Sequence, residues 1–190
     1  MAELKDYSGN FKPDLKIEDF SKEVLIKLLY EYSRIFLATD GFWYTLIEQR
    51  HGEDEAMACE IKVWDKCYTF DPRRITQAMN IQGRNVEACM KALPLSPGFP
   101  LGFFDWDVDL KNSNHAIVTV NRCPSLLFFE KEGKGRDVRI CNELEQRTFQ
   151  VYANYFNPAI KVTALKLPPR KNKEEVPCCQ WEWKLQGTSE

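Results

Sequence analysis

Seven cysteines in 190 residues are a high count and an odd one. Three of their positions suit shared chemistry. Cys123 follows a strand-like segment, Cys141 falls on a helix-like one, and Cys178-Cys179 opens the last strand-like segment. Zinc takes about four N, S or O ligands in a tetrahedron, and thiolates suit it. Cys123, Cys141 and Cys179 are therefore the candidate metal set, with Glu143 or His115 to complete it and zinc as the cofactor implied. No C-x-x-C pair is present, so buried structural thiols are the competing reading.

Cys123 also has a second possible role. Pro124 at the first position of a short helix would leave the thiol near a helix N-terminus, which favours the thiolate and nucleophilic catalysis. His115 is the one histidine in the same half of the chain. It sits at the far end of the intervening strand, and six strand residues span about 20 Å. A direct Cys123–His115 pair is thereby excluded, and a catalytic Cys123 would need another base.

The third constellation is aromatic: Trp43, Tyr44, Trp64, Phe104, Trp106, Trp181 and Trp183. Core packing is the plain explanation. The functional one is an aromatic-lined pocket between helices and sheet. Its expected lining is Asp40, Trp43, Trp64, Trp106 and Arg122, with Asp40 or Arg122 placing a polar group. An Asp beside Gly41 inside an apolar helix is costly unless paired. Asp105, Asp107 and Asp109 alternate along one strand and read as a solvated face, not a cation site.

The elements that must position these groups follow from periodicity. Residues 1–20 read as an N-terminal arm. Ser21 is an expected N-cap, and Leu25, Leu28, Leu29, Tyr32 and Phe36 keep helical spacing, with the pattern running past Gly41 towards Arg50. A second helix is expected from about Glu53 to Lys66. Asp71-Pro72 reads as the start of a separate short helix ending near Gly83. Asn85 caps another through Leu93. After the Pro/Gly-rich connector the text turns to period two: Phe104–Leu110 and Ala116–Asn121 form a hairpin. A short helix follows over Pro124–Glu132. A long helix is expected from Arg136 to Phe156, with Ile140, Leu144, Thr148, Val151 and Tyr155 on one face. Strands over Ile160–Leu167 and Cys178–Leu185 close the chain. The expected class is α+β: a helical N-terminal half packed on a four-stranded, mainly antiparallel sheet with one long crossing helix. Residues 21–187 form one domain, with 21–93 helical and 101–185 sheet-bearing, and 188–190 a tail.

Composition bounds the function classes. The net charge of −2 excludes the basic excess usual for nucleic-acid binding. No apolar run is long enough for a membrane span. Met1–Tyr7 has no basic start before an apolar run, so the expectation is a cytoplasmic protein with reduced thiols. Cys59, Cys67 and Cys89 are expected as packing residues.

The order Cys123-Pro124, a long helix carrying Cys141, Asn157-Pro158, and a terminal Cys179-Gln-Trp-Glu-Trp strand resembles the C-terminal part of the 4-vinyl reductase domain superfamily. Asp40-Gly41-Phe42-Trp43 and Trp64 look like the branch grouped with the L-2-amino-thiazoline-4-carboxylic acid hydrolase family. The resemblance covers roughly residues 20–185. It implies a small, often aromatic or hydrophobic ligand bound between helices and sheet. In some sensors of the superfamily it also implies a zinc held by cysteines and a glutamate, at positions matching Cys141 and Cys179. Val162–Pro169 lacks the Cys or Glu that would complete that set. Three functions follow as expectations: a small-molecule binding protein, a hydrolase opening a cyclic C–N bond of a heterocyclic carboxylate, or a structural or partner-binding domain. The expected partner is a small-molecule ligand, and a homodimer is one assembly compatible with the sequence.

Overall fold

The computed structural model describes residues 3–187. The tail expected at 188–190 and the first two residues of the arm lie outside them. The arm lies along the start of the domain, with the Leu4 amide donating to Asp19 and the Ser21 amide to Leu4, at 2.8 and 2.9 Å. Helix α1 (Lys22–His51) begins where Ser21 Oγ accepts from the Val24 amide, as its N-cap position predicts. It runs unbroken through Gly41. Gly52, at φ 89°, reverses the chain into α2 (Glu53–Ala78). The two form an antiparallel hairpin.

Helix α2 departs from expectation. It does not stop at Lys66 and restart at Pro72; it continues through Pro72. Asp71 is not a cap there. Its carboxylate instead accepts from Ser96 Oγ in the connector. Tertiary packing of Tyr68 and Pro72, both buried, overrides the local stop signal. Helix α3 (Val86–Ala92) is capped as expected, with Asn85 Oδ1 accepting from the Ala88 amide at 3.0 Å.

The sheet order is β1-β2-β4-β3, all antiparallel, with β1 (Asp105–Asn112), β2 (His115–Arg122), β3 (Ile160–Lys166) and β4 (Cys179–Leu185). Trp181 faces Val118 and Ala164, while Trp183 faces Ala116 and Val162, so the two indoles fill the central rungs and are wholly buried. Edge strand β1 is less buried than its alternation predicts. Val108 and Leu110 are exposed because little of the helical layer reaches that edge. Edge strand β3 is covered: Gln150 donates to Ile160 O and accepts from the Val162 amide, and Gln146 donates to Val162 O, at 2.8 to 3.1 Å. These side chains satisfy edge groups that would otherwise template pairing.

Helix α4 (Pro124–Glu132) ends at Gly133 in the left-handed conformation. The crossing helix consists of α5 (Arg136–Arg139), a π-helical turn (Ile140–Glu145) and α6 (Gln146–Phe156). A π-turn inserts one residue into the helical ladder. The buried face therefore moves on by one position: Ile140 and Leu144 lie within the π-turn, and Thr148, Phe149, Tyr152, Ala153 and Phe156 follow it. Val151 and Tyr155, expected on that face, are only half-buried for this reason. Arg147 ties α6 to α2 through Asp65 at 2.7 Å. No helix of the described residues is long and apolar enough to cross a membrane.

One close approach in the connector gives a direct test of the packing. A Cβ built on Gly98 would stand 2.7 Å from Cζ3 and 2.8 Å from Cη2 of Trp64. That indole is buried and held by Glu60, so it cannot swing away cheaply. Gly98→Ala is expected to lower stability by about 1–3 kcal/mol, the usual cost of overpacking, seen as a lower midpoint in urea unfolding. An unchanged midpoint would mean that the Trp64 ring is not fixed there.

Candidate functional site

Two adjacent cavities open between the helical hairpin and the sheet half. The outer one has a volume of about 770 Å³ and is walled by Leu37, Gly41, Phe42 and Leu46 of α1 and by Phe128 and Phe129 of α4. The inner one, about 110 Å³, lies against Trp64, Phe149 and Trp181. Leu37, Asp40, Glu60, Ser125, Phe129 and Ile140 line both, so these residues are the partition between them. Gly41 leaves α1 without a side chain at the outer cavity, where an added Cβ would meet nothing within 4 Å.

The partition is acidic. Asp40 projects from α1 and Glu60 from α2, where the run Met57, Glu60, Trp64, Tyr68 is one buried face. The Trp64 indole N–H donates to Glu60 Oε1 at 3.0 Å. Asp40 stands beside Glu60, and the interaction between the two carboxyls raises Glu60 and opposes the rise of Asp40. Burial first, and then the neighbouring Asp40 charge, push the Glu60 carboxyl up to about 9. Burial raises Asp40 as well, against its interactions with Glu60 and Trp64. The third carboxyl is Glu145, carried into the inner cavity by the π-turn. Glu145 is half-buried there. Burial and the Asp40 charge push it up to about 7.

Among the described residues no Lys, Arg or His forms an ion pair with any of these three groups. The two arginines at the outer cavity are engaged elsewhere. Arg34 pairs with Glu31 at 2.8 Å. Arg136 is buried, pairs with Glu48 and with Glu132, and lies 4.8 Å over the Tyr44 ring. The site is thus an apolar chamber whose inner end carries three carboxyls that pair with no cation among the described residues.

The sequence-derived candidates divide clearly. Asp40 lines both cavities, and Trp64 lines the inner one. Trp43, Trp106 and Arg122 do not belong to the pocket. Trp43 points off α1 into solvent at 65% exposure, because the helix turns Leu37, Asp40 and Gly41 inward instead. Trp106 packs on Phe99 at a centroid distance of 4.6 Å on the β1 edge. Arg122 is exposed at the end of β2.

Cys123, Cys141 and Cys179 do converge on the inner cavity, as the sequence reading requires. They do not form the expected metal set. Among the described residues no three His, Cys, Asp or Glu side chains stand as ligands to one ion. Cys123 Sγ accepts from the Leu126 amide at 3.3 Å, and Cys179 Sγ from the Trp181 indole at 3.2 Å. Glu143 turns outward to Arg139, and His115 bonds Glu182 on the sheet. These residues do not fit zinc. Cys123 is the N-cap of α4 as predicted, and burial pushes its thiol up to about 12, against the lowering effect of the Leu126 amide. Burial likewise raises Cys141 far above the ordinary thiol range and Cys179 to about 12.

Sequence reasoning missed Glu60, Glu145 and Arg136. For Glu60 a signal existed: a carboxylate at a face position between Met57 and Trp64 is costly unless something answers it. No curated protein and no solved structure matches the chain. The stretch that builds both cavities, from the end of the arm through β4, is nonetheless a recognised unit. Residues 18–185 match the family described as "Family of unknown function (DUF6125)", and the chain belongs to that family.

Proposed function

We propose that this protein binds a small molecule with an apolar or aromatic body and one basic nitrogen. The body occupies the outer cavity, and the nitrogen meets Asp40, Glu60 and Glu145. The observation that carries this reading is the carboxyl trio at the end of an apolar chamber, paired with no cation among the described residues. Buried carboxylates are stable only when paired or protonated. A bound ammonium or amidinium supplies the missing charge, and the surrounding Leu, Phe and Ile side chains strengthen the attraction by excluding water. The volume of about 770 Å³ suits a molecule of drug-like size. The reading agrees with what the resemblance to the 4-vinyl reductase superfamily implies for ligand type, and adds the charge. The hydrolase alternative has less to rest on, since it needs an arginine such as Arg122 to hold the substrate carboxylate, and Arg122 is exposed and lines neither cavity.

Titration calorimetry with three probes of one shape tests it: 1-naphthylmethylamine, 1-naphthylmethanol and 1-naphthoate. The ammonium is expected to bind at least about tenfold tighter than the alcohol, a difference of about 1.4 kcal/mol, and the carboxylate weakest. Glu60→Gln is expected to erase the gap between amine and alcohol while leaving alcohol binding in place. Equal affinities, or a preference for the carboxylate, would sink the charge assignment. No binding of any probe would sink the ligand reading.

A further inference from the structure

Helix α1 has 30 residues and buries one of them, Tyr44. A helix of that length, about 45 Å, normally buries a whole stripe. Its uncovered apolar face is continuous. Leu29, Tyr32, Ile35, Phe42, Trp43 and Leu46 are all exposed. Tyr32, Ile35, Thr39, Phe42 and Leu46 recur at spacings of three and four, the seam along which one helix packs on another. At 100° per residue the six fall on an arc of about 140°, and no charged residue lies on that arc between Leu29 and Leu46.

We propose that a second copy of this chain packs its α1 against this α1 about a two-fold axis, and in doing so closes the mouth of the outer cavity. Four observations choose this occupant. The stripe exposes on the order of 800 Å² of apolar side chain, at 150–250 Å² for each fully exposed aromatic, which is one side of a standard interface. A monomer rarely leaves so large an apolar patch bare. Its seam is self-complementary, as an isologous contact demands. The charges of α1 balance: Lys22, Lys27, Arg34 and Arg50 against Glu23, Glu31, Asp40 and Glu48. Two such helices do not repel, whereas a helix that lies on lipid carries a basic polar face.

The stripe is also continuous with the site. Phe42 and Leu46 belong both to the seam and to the cavity wall, and exposed Phe128 stands at the same mouth. A partner helix seated on Phe42 and Leu46 therefore covers the opening and adds its own side chains to the wall. The cavity in one copy is incomplete at that side. This inference does not depend on which ligand is bound.

Sedimentation velocity on the ligand-free full chain, from about 1 to about 100 μM, is the test. The wild type is expected to be dimeric in the upper part of that range. Tyr32→Glu and Ile35→Glu lie on the seam outside the cavity lining, and each is expected to weaken association at least about 100-fold with an unchanged circular dichroism spectrum. A monomer at every concentration overturns the proposal, as does a dimer that both variants leave intact. Closure of the mouth is read separately. In a Trp43→Phe, Phe128→Trp chain, acrylamide quenching of Trp emission is expected to fall as concentration carries the protein into the dimer. Quenching that ignores concentration overturns the closure. Both readouts omit ligand, so they stand or fall apart from the naphthyl titrations.

Discussion

From about pH 5 to about pH 9 the unliganded protein is expected to lose stability steadily, because two buried carboxyls bind their protons more tightly folded than unfolded. Glu60 stands at about 9 and Glu145 at about 7, against 4.5 for a free glutamate. Between 4.5 and those values the native state holds protons that the unfolded chain has released, so unfolding gains as pH rises. Each retained proton is worth about 1.4 kcal/mol per pH unit. Both carboxyls contribute up to about pH 7, and Glu60 alone from there to about 9. Asp40 and Asp71, raised by burial, act in the same direction. Below this window the sign reverses. The Arg170 guanidinium holds Glu130 under its ordinary value, and that contribution is lost as pH falls. Maximum stability is therefore expected near pH 5.

Urea unfolding across that range checks the slope, and the site-directed comparison checks its source. Glu60→Gln is expected to flatten the profile between about pH 7 and 9, and Glu145→Gln to flatten it below about 7. A flat wild-type profile, or a slope that both variants retain, would show that these carboxyls ionise freely in the fold. The same linkage governs binding. A cation that pairs with the trio stabilises its ionised form, so it displaces protons and binds tighter as pH rises, until the ligand's own nitrogen deprotonates.

The fold was legible because its signals are local. Ser21, Asn85 and Pro124 mark helix starts by their capping chemistry, and all three do so in the structure. Trp181 and Trp183 alternate with Gln180, Glu182 and Lys184, and period two put them in the core. The site was half legible. Asp40 stood out because an Asp beside a glycine in an apolar helix demands a reason. Glu60 and Glu145 did not, since their meaning lies in a neighbour far along the chain: Asp40 is remote in sequence from both. The π-turn was hidden for a related reason. Its one-residue slip is set by what the helix packs against, so the text upstream and downstream each keeps a good helical period. Trp43 misled because aromatic residues on an amphipathic helix face the core by default, and the exposed face of α1 is apolar as well. That second apolar face is itself information, since a helix with two apolar sides has two surfaces to cover.

Arg136→Met is expected to cost about 3–5 kcal/mol, the usual range for removing one partner of a buried ion pair. Arg136 is 3% exposed and joins three elements: it opens α5, pairs with Glu48 of α1 and Glu132 of α4, and covers the Tyr44 ring. Helix α1 packs chiefly on α2, so this arginine is its main charged tie to the sheet half. Without the guanidinium, two largely buried carboxylates face each other across the cavity wall. Lys134 stands 3.5 Å from Glu48 and 3.4 Å from Glu132, but it is half in solvent and offsets little. Lys134→Met should therefore cost under about 1 kcal/mol. The decisive comparison is the triple variant Arg136→Met, Glu48→Gln, Glu132→Gln. If the damage comes from uncompensated charge, neutralising both partners restores most of the loss in urea unfolding. If the damage persists, Arg136 acts through its packing on Tyr44, and the outer cavity is shaped by that stack instead of by the ion pairs.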